Sequence, residues 1–122
     1  MNPDRKTIDR EILQPLWKVH VLHHAGQGEV VGNWLLEELR EHGYEVSPGT
    51  LYPLLARLVR LGWLAPVSGA KRRGRQAYPL RLTAQGRRVL DEVRARLAEL
   101  NEEVFGDGCA GAADARGKRD DV

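Results

Sequence analysis

The sequence is short of cysteine, of long apolar runs and, over one stretch, of acidic residues. Cys109 is the single cysteine in 122 residues. This excludes an internal disulfide framework and fits a reducing compartment. No apolar run approaches the ~18 residues that a transmembrane helix needs. The N-terminus, MNPDRKTIDREI, is charged where a signal peptide would be apolar, so a cytoplasmic protein without membrane contact is expected. There is no internal repeat, no HExxH, no phosphate-binding glycine loop and no Ser-His-Asp constellation in a suitable context. Neither an enzyme nor a bound cofactor is therefore expected. Aromatics make up 6% of the chain, too few for the base-stacking platforms that bind single-stranded RNA.

The missing acids say most. From Val46 to Leu90 there is no Asp or Glu, while Arg57, Arg60, Lys71, Arg72, Arg73, Arg75, Arg81, Arg87 and Arg88 fall in that window. The rest of the chain carries ten basic against seventeen acidic residues. Solvated surfaces usually mix both signs. A positive block in an otherwise acidic chain is the footprint of a polyanion site.

The chain is long enough for one domain with its own core. Residues 8 to 25 read as a helix, with Ile8, Ile12, Leu16 and Val19 on one face and Leu13, Trp17, Val21 and Leu22 extending it. Such breadth of apolar surface implies burial or a second subunit. Pro15 predicts a kink or a later start. His20 and His24 lie one turn apart, a spacing that can bind a metal. No third ligand is evident, and no metal site is expected. GQGE at 26 to 29 is a turn. Asn33 to His42 forms a second helix, with Leu35, Leu36 and Leu39 inward, ended by Gly43.

The segment from Gly43 to Leu64 organises the rest. Ser47 is a natural N-cap, Pro48 suits the first helical position, and Gly62 is a C-terminal stop. Leu51, Leu54, Leu55, Leu58 and Leu61 form an apolar stripe. The opposite face carries Thr50, Pro53, Arg57 and Arg60, beside Gly49 and Tyr52. Pro53 breaks a local rule, because inside a helix it removes the bond to the carbonyl of Gly49. It marks either a functional surface or a helix that starts late or kinks. Two short helices joined by a turn, the second with a polar outer face, follow the helix-turn-helix plan, in which the second helix enters the major groove.

After Gly62 the pattern alternates. Residues 63 to 67 and 76 to 82 read as strands, with Tyr78, Leu80 and Leu82 on one side and Pro79 and Arg81 on the other. Pro79 marks an edge strand. Between them, Lys71, Arg72, Arg73 and Arg75 form a basic hairpin tip, a wing suited to phosphates. Thr83 caps a last helix over about 84 to 105. Leu90, Val93, Leu97, Leu100 and Val104 make a heptad seam along it, for the domain's own core or for a second subunit. The tail from Gly106 is polar and aperiodic, and is expected to be disordered, with Cys109 incidental. The predicted fold is mainly α with a small β-hairpin. It comprises a winged helix-turn-helix DNA-binding domain (1–82), a C-terminal dimerisation helix (83–105) and a tail (106–122).

The segment VSPGTLYPLLARLVRLGWL resembles the signature of the PadR family of winged-helix transcription regulators. Ser47, Gly49, Thr50, Leu51, Tyr52, Pro53, Leu55, Arg57, Leu58 and Gly62 carry the match. Leu82, Thr83 and Gly86 match the family's leucine-threonine-x-x-glycine opening of the last helix. The resemblance covers about residues 8 to 105 and is nearest to the short subgroup with one C-terminal helix. The chain departs at Gly32-Asn33-Trp34, where the family has glycine-tyrosine, and at Tyr78-Pro79-Leu80-Arg81 in the wing. The resemblance implies a homodimeric repressor on an inverted-repeat operator of double-stranded DNA, released by a small aromatic or hydrophobic effector. Family pockets lie at the dimer interface, which makes Trp17 the candidate effector contact here; its other reading is a core tryptophan. On these readings the DNA-binding residues are Ser47, Gly49, Thr50, Tyr52, Pro53, Arg57, Lys71, Arg72, Arg73 and Arg75. The alternative is a winged-helix protein-interaction module without a DNA role.

Overall fold

The computed structural model describes residues 4–67 and 79–106. Residues 68–78 lie outside the described residues, and with them the expected tip with Lys71, Arg72, Arg73 and Arg75 and the start of the expected second strand with Tyr78; so do the residues from 107 on, with Cys109. The elements are α1 (Asp4–Ile8), a π-turn (Asp9–Leu13), α2 (Gln14–Gln27), α3 (Gly32–Glu41), α4 (Pro48–Arg60), β1 (Leu64–Pro66), β2 (Leu80–Leu82), α5 (Ala84–Asn101) and a closing π-turn (Glu102–Gly106). The chain divides into two units between Leu90 and Asp91.

The first helical segment is longer than its periodicity predicts, and it is interrupted. Pro15 stands in the first turn of α2. Its ring has no N–H and crowds the carbonyl four residues back. Directly before it the helix takes a wider π turn over Asp9–Leu13, one of the known ways a helix absorbs an irregularity. The burial is also narrower than expected. Trp17, Val21, Leu22 and Ala25 are in the core, whereas Ile8 and Ile12 are exposed.

α3 and α4 end by the same device. The Gly43 N–H donates to the Arg40 carbonyl and the Tyr44 N–H to the Leu39 carbonyl, at 3.0 and 3.1 Å. In α4 the Gly62 N–H donates to Val59 and the Trp63 N–H to Leu58, at 2.9 and 3.1 Å. Both glycines have positive φ, +92° and +85°, the left-handed conformation this terminator requires. α4 runs unbroken through Pro53 from Pro48, so it does not start late. Leu51, Leu54, Leu55 and Leu58 are buried, but Leu61, expected in the same stripe, is 38% exposed. It sits at the C-cap, one residue before the chain reverses at Gly62.

β1 and β2 pair antiparallel, with Leu64 opposite Leu82 and Pro66 opposite Leu80. Leu80 also exchanges two backbone hydrogen bonds with Val30, at 3.0 and 2.8 Å, so the loop after α2 gives β2 a second neighbour. Pro79 stands just before β2, and its side chain is fully buried rather than paired with exposed Arg81 on the outer side. Its carbonyl accepts from the Val67 N–H at 2.8 Å, and a proline asks for no donor bond in return.

Thr83 caps α5 as expected. Its Oγ1 accepts from the Gly86 N–H at 2.9 Å and donates to the Gly62 carbonyl at 2.6 Å. One hydroxyl thus ties the start of α5 to the end of α4. Gly86 is buried against the residue before β1: a Cβ there would overlap the Trp63 carbonyl. These contacts give a physical reason for leucine-threonine-x-x-glycine at this place. Leu90 is 1% exposed and joins the core with Trp17, Leu35, Leu51 and Leu58, which takes it out of the expected seam. Beyond Asp91, Val93 and Leu97 are half-buried, while Leu100, Val104 and Phe105 are exposed. No helix among the described residues is long and apolar enough to cross a membrane.

Candidate nucleic-acid interface

The geometry of the first turn of α4 follows from its sequence. Ser47 has the extended backbone of an N-cap, but its side chain makes no capping bond. Its Oγ instead donates to Thr50 Oγ1 at 3.3 Å. The Ser47 carbonyl accepts both the Thr50 and Leu51 N–H groups, at 3.1 and 3.0 Å. Pro48 has no N–H to offer. The exposed Gly49 is left with a free N–H among the described residues, at the end of the helix that carries partial positive charge.

Gly49 has no internal reason to be glycine. Its φ is ordinary, and a Cβ there would meet only Ser47 Oγ at 3.9 Å. Pro53 and Arg57 continue the exposed face one and two turns further on, with Arg60 at its end. Thr50 and Tyr52 are half-buried. The Tyr52 ring packs on α3, where a Cβ at Gly32 would overlap it. Tyr52 is thus a packing residue with a phenol at its edge, not a purely polar anchor.

The described cations of the acid-free block have no ion-pair partners among the described residues. Every ion pair there involves Arg5, Arg10, His24, His42 or Arg96. Arg57, Arg60, Arg81 and Arg88 form none. Arg87 only donates to the Gly26 carbonyl, at 3.1 Å. Unneutralised guanidinium groups at the far end of α4 and a free N–H at its start place two anion-seeking features on one helix.

Trp17 lies in the core, 2% exposed. Its ring meets Tyr44 edge-on at 6.2 Å, and its Nε1–H is a buried donor with no acceptor among the described residues.

A second cluster was only half visible in the sequence. His20 and His24 on α2 are joined by His42, the C-cap of α3, and one ring nitrogen of each lies within 4.8 Å of the others. Glu38 Oε2 is 3.6 Å from His24 Nε2 and 3.3 Å from His42 Nε2. Burial pushes the His20 imidazole below its ordinary value of 6.5, helped by neighbouring His42, His24 and His23 and opposed by Glu38. Burial also lowers His24, with Glu38 opposing and His23 and His42 adding to the shift. The one available signal for the third histidine was the Glu38–His42 spacing on α3. It says nothing of α2 until the two helices are packed.

Comparison with known proteins gives a consistent result. A match to the transcriptional regulator PadR-like family covers residues 21–92. The chain is 48% identical over 101 residues to the transcriptional regulator Rv3488 of Mycobacterium tuberculosis, covering 80% of this chain and 90% of that one. Among solved structures, a PadR-like transcriptional regulator from Bacillus cereus superposes with a TM-score of 0.68 at 26% identity, covering 79% of this chain and 94% of the other. A PadR-like transcription factor from Bacteroides fragilis gives 0.66 at 25% identity, covering 82% and 97%.

Proposed function

The chain belongs to the PadR-like family of transcriptional regulators, and on that premise we propose that it is a homodimeric repressor that reads an inverted-repeat operator with α4 and leaves it when a small effector binds. The observation that carries the DNA part is the face of α4. It has a glycine with no packing role, a free N–H at the helix start and arginines without ion-pair partners among the described residues. Ser47, Gly49, Thr50, Tyr52, Pro53 and Arg57 approach the major groove, N-terminus first. Lys71, Arg72, Arg73 and Arg75 take phosphates from the hairpin tip.

The dimer part rests on Val93, Leu97, Leu100 and Val104, with Phe105 extending the strip. The effector part rests on Trp17, whose buried and unsatisfied indole N–H is a donor that a ligand oxygen would satisfy. A change in tryptophan emission on effector binding checks that assignment.

The deciding experiment is salt-dependent binding to operator and random DNA. Changing Lys71, Arg72 and Arg73 together to Ala is expected to weaken both. It is also expected to flatten the log–log salt slope by about 0.9 for each phosphate that is no longer neutralised. An unchanged slope would take the tip off the DNA. Wild-type binding that ignores salt would leave a protein-interaction module as the better reading.

A further inference from the structure

We propose that His20, His24 and His42 form a binding site for a divalent transition metal ion of the imidazole-preferring class, with Zn²⁺ as its probe. The site is built from two elements. His20 and His24 are one turn apart on α2 and stack with ring centroids 6.4 Å apart. His42 comes from the C-cap of α3, and its ring lies 5.0 Å from His20. One ligating nitrogen from each falls within 4.8 Å of the other two. Ligands of a tetrahedral zinc ion, at about 2.0–2.1 Å from the metal, are a little more than 3 Å apart. Closing the site therefore needs small side-chain rotations and no movement of the helices.

The chemistry of the donor set fits. Three imidazoles with a nearby carboxylate suit zinc and its neighbours in the first transition row better than calcium or magnesium, which prefer all-oxygen shells. A histidine ligates only in its neutral form, and burial already favours that form at His20 and His24. Glu38 faces the Nε2 atoms of His24 and His42. There it offsets part of the ion's charge and fixes ring orientation, the usual part of a carboxylate beside histidine ligands. His42 is exposed, which gives the ion a way in.

Metal binding here does not depend on the DNA reading, so the test uses the free, untagged full-length protein. Zn²⁺ titrated calorimetrically at neutral pH is expected to bind one ion per chain and to raise the melting temperature by linkage. His20→Ala, His24→Ala and His42→Ala are each expected to lose more affinity than Glu38→Gln, whose loss is expected to be about 10–100-fold. Cys109→Ser should bind as the wild type does. Should the alanine variants fold poorly, the imidazole NMR signals of the wild type give the same answer: three histidines shift with Zn²⁺, and His23 is not one of them. The proposal is overturned if the His42→Ala chain binds as tightly as the wild type, if Cys109→Ser abolishes binding, or if no imidazole signal moves.

Discussion

α4 and α5 carry nearly the same sequence signal and differ in how far the chain buries it. Each has leucines three and four residues apart with charged residues on the other side. In α4 the stripe Leu51, Leu54, Leu55, Leu58 is buried within its own chain. In α5 burial among the described residues stops at Gly86 and Leu90, and Leu100, like Val104 in the turn that follows, remains more than half exposed. Periodicity says that a helix has an apolar face. Whether that face meets the same chain or another depends on what the chain has left to cover it.

The largest effect expected from breaking this contrast is on α4. Leu58 is fully buried, so Leu58→Ala should destabilise the fold by about 2–5 kcal/mol, through forfeited transfer energy and a cavity. Denaturant unfolding should show the midpoint fall with little change in slope. A loss under about 1 kcal/mol would mean that α4 is not held by its stripe.

The corresponding change in α5 should act on association instead. Leu97 is half-buried in the single chain. Leu97→Glu should leave the unfolding of the single chain almost unaltered, while an unpaired charge in a subunit contact opposes dimerisation. We expect at least about 100-fold weaker association, near 2.7 kcal/mol, read by sedimentation. A wild type already monomeric at micromolar concentration would break the contrast, by showing that α5 has no partner to lose.

Much of this fold was legible because its signals are local. The glycines after α3 and α4, Pro48 at the start of α4 and the Thr83 cap each act within one turn of backbone, so their chemistry can be read from neighbours in sequence. Features set by packing were not legible. Leu61 continues the leucine spacing but falls where α4 has ended. Leu90 begins the seam in sequence yet completes the core. Pro79 alternates with Leu80 on paper, yet the side chains of both are buried. Ser47 has the identity and backbone of a cap, yet its hydroxyl turns to Thr50. The candidate DNA face was legible in residue type, through the missing acids. The packing of Tyr52 on Gly32 and the arrival of His42 beside His20 needed the angle between helices, which no spacing encodes.

The polar face of α4 should give a smaller effect than either leucine. Arg57→Ala removes an exposed cation without touching the core, so stability should be unchanged within about 0.5 kcal/mol. Operator binding should weaken by about 1–3 kcal/mol if the guanidinium reads a base. An equal loss on random DNA would make it a phosphate contact. Tyr52→Phe is the cleaner probe at its position, because it keeps the ring on Gly32 and removes only the hydroxyl.

The smallest effect comes from one methyl group at Gly49, and its sign should be opposite to that of the same methyl at Gly86. At Gly86 in α5 a Cβ meets the Trp63 carbonyl, so Gly86→Ala must shift backbone and should cost about 1–3 kcal/mol of stability. At Gly49 in α4 the same Cβ enters open space with an unstrained φ. Helix propensity alone favours alanine there by up to about 1 kcal/mol. Gly49→Ala should therefore raise the melting temperature slightly. If α4 approaches DNA through its first turn, the same methyl stands between the Gly49 N–H and a phosphate, and operator affinity should fall while stability rises. Opposite signs in one variant separate a glycine kept for folding from a glycine kept for contact. Thermal unfolding and DNA titration of the two alanine variants together make the measurement. A Gly49→Ala protein that binds its operator as tightly as the wild type would show that the first turn of α4 does not come within a methyl group of DNA.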